Sequence, residues 1–284
     1  MPKIEVVSPE WLAQRFGDPN TIVLDGSYYL PAHGRDADAE YLAAHIPGAI
    51  RFDIDVVKDL NSPHPHMLPD PDEFAAAVGA IGISDEHLIV VYDGLGLFAS
   101  PRVAWMFRTF GALRVAVLDG GFPAWRAAGL PVESGEPEER EPADFEARFD
   151  EGAVADRQEI ARALASGSTQ VLDARSAARF TGEEPEPRPG MRSGHMPGAR
   201  NLHYASVLRE GRLADVATIE AALAAAGVDP TQPILTTCGS GVTAAILVLA
   251  IEQTGRPAPP LYDGSWAEWG SRDDTPVVTG EASL

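Results

Sequence analysis

The sequence predicts an α/β protein made of two copies of one domain architecture in tandem, each a parallel sheet flanked by helices. Two observations carry this. Short β-branched or apolar runs alternate with helical patterns along the chain, and three motifs recur in the same order in each half. "VLDGSYYL" from Val23 answers "VLDARSAARF" from Val171, and "HIPGAIRF" from His45 answers "HMPGARNL" from His195. "LDGGFPAWRAAGLPV" from Leu118 answers "YDGSWAEWGSRDDTPV" from Tyr262. The offsets, 148 for Asp25 to Asp173, 150 for His45 to His195 and 144 for Asp119 to Asp263, are too even for chance.

The elements follow in order. "TIVLD", "HLIVVYD" and "VAVLDG" in the first half, and "QVLDA" and "PILTT" in the second, read as buried parallel strands. Between them, "DPDEFAAAVGAIG", "SPRVAWMFRTFG", "DRQEIARALASG", "TIEAALAAAGV" and "TAAILVLAIEQTG" read as helices, several closed by glycine. "ESGEPEEREPADFEARFD", Glu133 to Asp150, is rich in Pro and Glu and poor in apolar residues. It reads as a linker, giving domains at 1–132 and 151–284 with 133–150 between them.

Composition narrows the function. The chain has 284 residues, 45% hydrophobic and 23% charged, an ordinary globular balance. A formal charge of -20 argues against nucleic acid or an anionic membrane as partner, since both need a basic face. No apolar run approaches the ~20 residues that cross a bilayer, and "MPKIEVVSPEWLAQRF" lacks the pattern of a signal peptide. The single cysteine rules out an internal disulfide framework or a Cys-rich zinc site. It fits a reducing, cytoplasmic setting. The seven histidines are scattered, so neither a metal nor an organic cofactor is expected.

That cysteine, Cys238, stands in "ILTTCGSGVTAA", between a strand and a helix, at the carboxyl edge where open α/β sheets bind ligands. Gly239 and Gly241 let the backbone turn so that successive N–H groups converge on one point, and the helix N-terminus adds partial positive charge. Such a setting favours a thiolate and the anions it goes on to carry. The plainer alternative, a buried structural cysteine, is the commoner use of this residue. The flanking Gly-Ser-Gly argues against it. In the other repeat Asp93 of "HLIVVYDGLG" occupies the corresponding place, so one active site is expected, in the second half.

"CGSGVTA", the two H-x-PGA segments, "SPHPHMLP", "RFTGEEPEPRPG" and "YDGSWAEWG" together resemble the 3-mercaptopyruvate-type members of the two-domain rhodanese family, over nearly the whole chain from about Val23 to about Trp269. The resemblance implies that Cys238 takes sulfur from 3-mercaptopyruvate as a persulfide, releases pyruvate, and passes the sulfur to cyanide or a thiol acceptor such as a thioredoxin-like protein. It also implies two substrate-binding arginines, Arg179 and Arg188, and a proton relay of Ser240, His66 and Asp55. Judged on the residues alone, either arginine would be assigned a salt bridge to Glu183, Glu184 or Glu186. Gly239, Gly241, Val242 and Thr243 complete the expected binding loop, Thr243 orienting it or capping the helix. His64 and Asp53 are neighbours without a role in the pattern, and His45 and His195 recur in both halves as structural turns. Trp266 and Trp269 either wall the pocket or pack the core.

Three rivals are weighed. A cysteine phosphatase needs arginine six residues after its cysteine, where this chain has Ala244. A non-catalytic rhodanese-like module commonly lacks the nucleophile. A thiosulfate sulfurtransferase would want basic residues after the cysteine, where Gly-Ser is neutral.

Overall fold

Apolar strand runs bounded by turn residues collapse into two parallel sheets in the computed structural model, which describes residues 2–137 and 139–282. By contacts the chain divides into two units. One comprises the chain up to Leu60, Leu68–Asp150 and Glu210–Leu213; the other comprises Asn61–Met67, Glu151–Arg209 and the chain from Ala214.

In the first unit the strands are β1 (Glu5–Val7), β2 (Thr21–Asp25), β3 (Ile50–Arg51), β4 (Leu88–Tyr92) and β5 (Arg114–Leu118). With them go helices α1 (Pro9–Ala13), α2 (Ala37–Ala43), α3 (Pro71–Ala80), α4 (Ser100–Thr109) and α5 (Gly121–Ala127). Further along the chain come β6 (Val154–Ala155), β7 (Gln170–Asp173), β8 (Arg200–Asn201), β9 (Leu208–Arg209), β10 (Arg212–Leu213), β11 (Ile234–Thr237) and β12 (Leu261–Tyr262). The accompanying helices are α6 (Arg157–Ser166), α7 (Ala177–Thr181), α8 (Val216–Ala225), α9 (Ala244–Gln253) and α10 (Ser265–Trp269).

The sheets have the same order. The first runs β1-β5-β4-β2-β3 and the second β6-β12-β11-β7-β8, parallel throughout. The match extends to side chains. His45 stacks on Tyr41 and His195 on Phe180, at 4.2 and 3.8 Å between ring centroids. Each imidazole Nδ1 meets the backbone oxygen of the residue it stacks on. Both histidines are thus the structural turns expected of them. Trp125 and Trp269 donate their indole N–H to Pro131 and Pro276 carbonyls.

The strands read from the sequence are the long central ones. Short edge strands such as β3, β6 and β8 span two residues each, too few to show a pattern. The segment 133–150 differs from a free tether. Phe145 is buried edge-on against Phe74 and Phe107, and the Ala143, Arg148 and Asp150 amides bond to the Gly79, Phe110 and Thr109 carbonyls. One apolar anchor among many acidic residues suffices to strap the segment to the first unit, because a buried phenyl ring contributes about 2 kcal/mol.

The helices that follow the central strands are embedded. All ten residues of α4 and nine of ten in α9 are buried, which fixes the start of each helix and the loop before it. Among the described residues no helix is long and apolar enough to cross a membrane.

Candidate active site

Cys238 directly follows β11 and is 1% exposed. Its backbone is pinned on both sides: its N–H donates to Ser265 Oγ (3.3 Å), and its carbonyl accepts from the Trp266 amide (2.9 Å). The Gly239 carbonyl in turn accepts from the Ala267 amide (2.9 Å). Ser265 is fully buried, donates its hydroxyl to the Tyr262 carbonyl (2.8 Å), and has a left-handed backbone at φ +49°. A non-glycine residue held there is strained, and such strain persists only where the surroundings impose it.

The two loop glycines are present for different reasons. Gly241, at φ +76°, makes the turn as expected. Gly239 has no such angle; a Cβ there would stand 2.8 Å from Arg179 Nη2. Its lack of a side chain admits a guanidinium. Ser240 and Val242 are buried. Thr243 precedes α9 in right-handed helical geometry (φ −76°, ψ −17°) and makes no side-chain cap. The capping role expected of it is therefore incorrect: a capping hydroxyl needs an extended backbone to reach the amides ahead.

The other copy of the loop shows what this shape holds. Asp93, directly after β4, is buried, and its Oδ2 accepts from the Phe98, Ala99 and Ser100 amides and the Ser100 hydroxyl, at 2.7–2.9 Å. Its Oδ1 takes the Leu95 amide at 2.8 Å. The Phe122 amide donates to the Asp93 carbonyl as Trp266 does to that of Cys238. This strand–loop–helix turn is an anion cradle, filled in the first unit by the chain's own carboxylate.

Arg179 lies against the cysteine loop and is bonded to Glu186, through Nη2 to Oε2 (2.5 Å) and Nε to Oε1 (3.2 Å). Burial and the nearby Arg179 charge push the His203 imidazole below its ordinary value. Arg188 Nη2 meets His66 Nε2 at 3.3 Å. Arginine only donates, so Nε2 is the acceptor in this pair. His66 is buried and left-handed, at φ +60°. It is bonded to Arg188. Asp55, counted in the first unit, has a side chain 46% exposed and an ion pair to Lys58 at 3.2 Å. Asp53 accepts the Asp55 amide, a local turn. His64 is half-buried, its amide on Ser62 Oγ. Trp266 and Trp269 are both in the core, at 0% and 1% exposure. No cluster of three metal-ligating side chains occurs among the described residues.

A family model described as the rhodanese-like domain matches the chain twice, at residues 8–128 and 156–272. The chain belongs to the rhodanese family. It is 42% identical over 272 residues to the 3-mercaptopyruvate sulfurtransferase of Escherichia coli K12, covering 95% of this chain and 96% of that one. To the rat enzyme of the same name it is 43% identical over 274 residues, covering 94% and 92%. The crystal structure of SseA from Escherichia coli, described as a 3-mercaptopyruvate sulfotransferase, superposes with a TM-score of 0.86 at 39% identity, covering 93% of this chain and 99% of that one. Tum1 from Saccharomyces cerevisiae superposes with a TM-score of 0.90 at 32% identity, over the full length of both.

Three residues around this rhodanese cysteine escape a sequence reading. Ser265 is one; its partner in the repeat is Gly121, also left-handed at φ +53°, and that alignment was its one visible signal. Glu186 and Arg175 are the others. Arg175 is wholly buried, bonded to Asp173, Glu186 and the Gly194 carbonyl, with its guanidinium 4.2 Å from the Trp266 ring. Nothing in a Pro- and Glu-rich stretch singles out Glu186 from Glu183 and Glu184.

Proposed function

We propose that this chain is a 3-mercaptopyruvate sulfurtransferase with Cys238 as nucleophile. The thiolate attacks the substrate sulfur and forms an S–S bond. The C–S bond breaks with its electron pair going to carbon 3, and the proton of the substrate thiol ends on that carbon, giving pyruvate and a cysteine persulfide. A thiol acceptor of thioredoxin type, or cyanide, then takes the outer sulfur.

The observation that supports this best is the pairing of a solitary cysteine in an anion-cradling loop with a guanidinium laid against Gly239. Arg179 and Arg188 bind the substrate carboxylate and keto oxygen, since planar forks suit planar anions. Backbone groups of Gly239, Gly241, Val242 and Thr243 stabilise the persulfide. Ser240, His66 and Asp55 serve as the proton relay, with the imidazole of His66 its natural carrier. A single unpaired thiol suits a reducing compartment such as the cytoplasm, which also supplies thiol acceptors.

The test is pyruvate release with 3-mercaptopyruvate and cyanide, beside thiosulfate as rival donor. The wild type prefers mercaptopyruvate and shows one added sulfur by intact-protein mass spectrometry; Cys238→Ser shows neither turnover nor adduct. A preference for thiosulfate overturns the donor assignment, and turnover by the serine variant overturns the mechanism.

A further inference from the structure

We infer that Glu186 is a positioning residue for this reaction: it sets the guanidinium of Arg179 over Gly239 of the nucleophile loop. The inference rests on the proposed binding of substrate by Arg179.

Its side chain is 1% exposed, yet it holds two arginines. Arg175 donates Nη1 to Oε1 at 2.7 Å, and Arg179 bonds both carboxylate oxygens. The two arginines are not equivalent. Arg175 is also bonded to Asp173 by Nε and Nη2 and to the Gly194 carbonyl, so it remains anchored without Glu186. Arg179 has no other side-chain hydrogen bond among the described residues. Its Nη1 is left unengaged there and directed to no protein acceptor, as a donor reserved for an incoming anion would be. Arg175, itself immobilised against Trp266, is the post to which the carboxylate is tied.

The first unit contains the same device in a closed form. Arg35 grips Glu40 through Nε (2.8 Å) and Nη2 (2.5 Å), and a Cβ on Gly94 would stand 3.1 Å from Arg35 Nη2. There the third nitrogen, Nη1, donates to the Gly94 carbonyl at 3.2 Å. Each repeat therefore lays a glutamate-held guanidinium across the first glycine of its loop. Where the loop is filled by Asp93 the fork is satisfied internally; where it carries Cys238 one nitrogen is left over.

Glu186→Gln keeps the volume and one acceptor oxygen but removes the charge and the two-pronged grip, while Arg175 keeps Asp173. The expected result is a KM for mercaptopyruvate raised about tenfold with kcat changed less than about twofold, because a fork displaced from its site weakens ground-state binding. The double variant Arg179→Ala/Glu186→Gln should be no worse than Arg179→Ala, since the second change acts only through the first. A second readout is independent of turnover: phenylglyoxal should modify Arg179 severalfold faster in Glu186→Gln, as peptide mapping would show. Should that variant not fold, Glu186→Asp, which draws the carboxylate back by one methylene, carries the same expectations. An unchanged KM, additive losses in the double variant, or an unchanged modification rate overturns the inference. If wild type releases no pyruvate, the proposed function fails, and the modification rate alone then decides the positioning role.

Discussion

The Ser265 hydroxyl accepts the amide hydrogen of Cys238 while the serine's own backbone is held left-handed, at φ +49°. The equivalent position in the other repeat is Gly121, at φ +53°, where the same conformation costs nothing. The second repeat thus carries about 1 kcal/mol of backbone strain to place a hydroxyl beneath its nucleophile.

Ser265→Gly should relieve that strain and lose the hydrogen bond, leaving the melting temperature near wild type while persulfide formation slows severalfold. Ser265→Ala keeps the strain and loses the bond, and should be less stable by about 1–3 kcal/mol. Denaturant unfolding and stopped-flow adduct formation measure the two effects. An alanine variant equal to wild type in both would remove the role.

Gly239→Ala places a methyl group 2.8 Å from Arg179 Nη2. Since the Gly239 backbone angle suits any residue, the fold should survive, with unfolding free energy within about 1 kcal/mol of wild type. The guanidinium must move instead, and kcat/KM should fall at least about tenfold. Full activity in this variant would show that the arginine is not needed where it sits.

Asp93→Asn keeps the shape but replaces a carboxylate that accepts five hydrogen bonds, four of them on Oδ2. Facing its amide nitrogen toward either set of donors leaves some unmatched, and the charge is lost. The expected cost is about 2 kcal/mol of stability, read as a lower urea midpoint, with sulfur loading of Cys238 unchanged in native buffer. No shift in the midpoint would mean the cradle does not need an anion.

The fold and the nucleophile were legible because both are local. Strand runs, helix patterns and the Gly-Ser-Gly after Cys238 are read within a few residues, and the repeat exposes Asp93 as its counterpart. The supports of the site were not. Glu186 is one of three acids within four residues, and only folding decides which of them is buried between two arginines. Gly239 looks like a turn glycine beside Gly241, yet its reason is a side chain 60 positions earlier in the chain. Thr243 looks like a helix cap, but its own backbone geometry denies its hydroxyl that reach. In each case the deciding contact comes from a distant segment, which adjacency in sequence does not encode.

The sole thiol of the chain has a further consequence, for its survival under oxidants. A peroxide that turned Cys238 into a sulfenic acid would find no second cysteine in the polypeptide with which to condense into a protective disulfide. Repair must arrive as an exogenous thiol, and until it does, progress to the irreversible sulfinic state is limited by access to a residue that is 1% exposed.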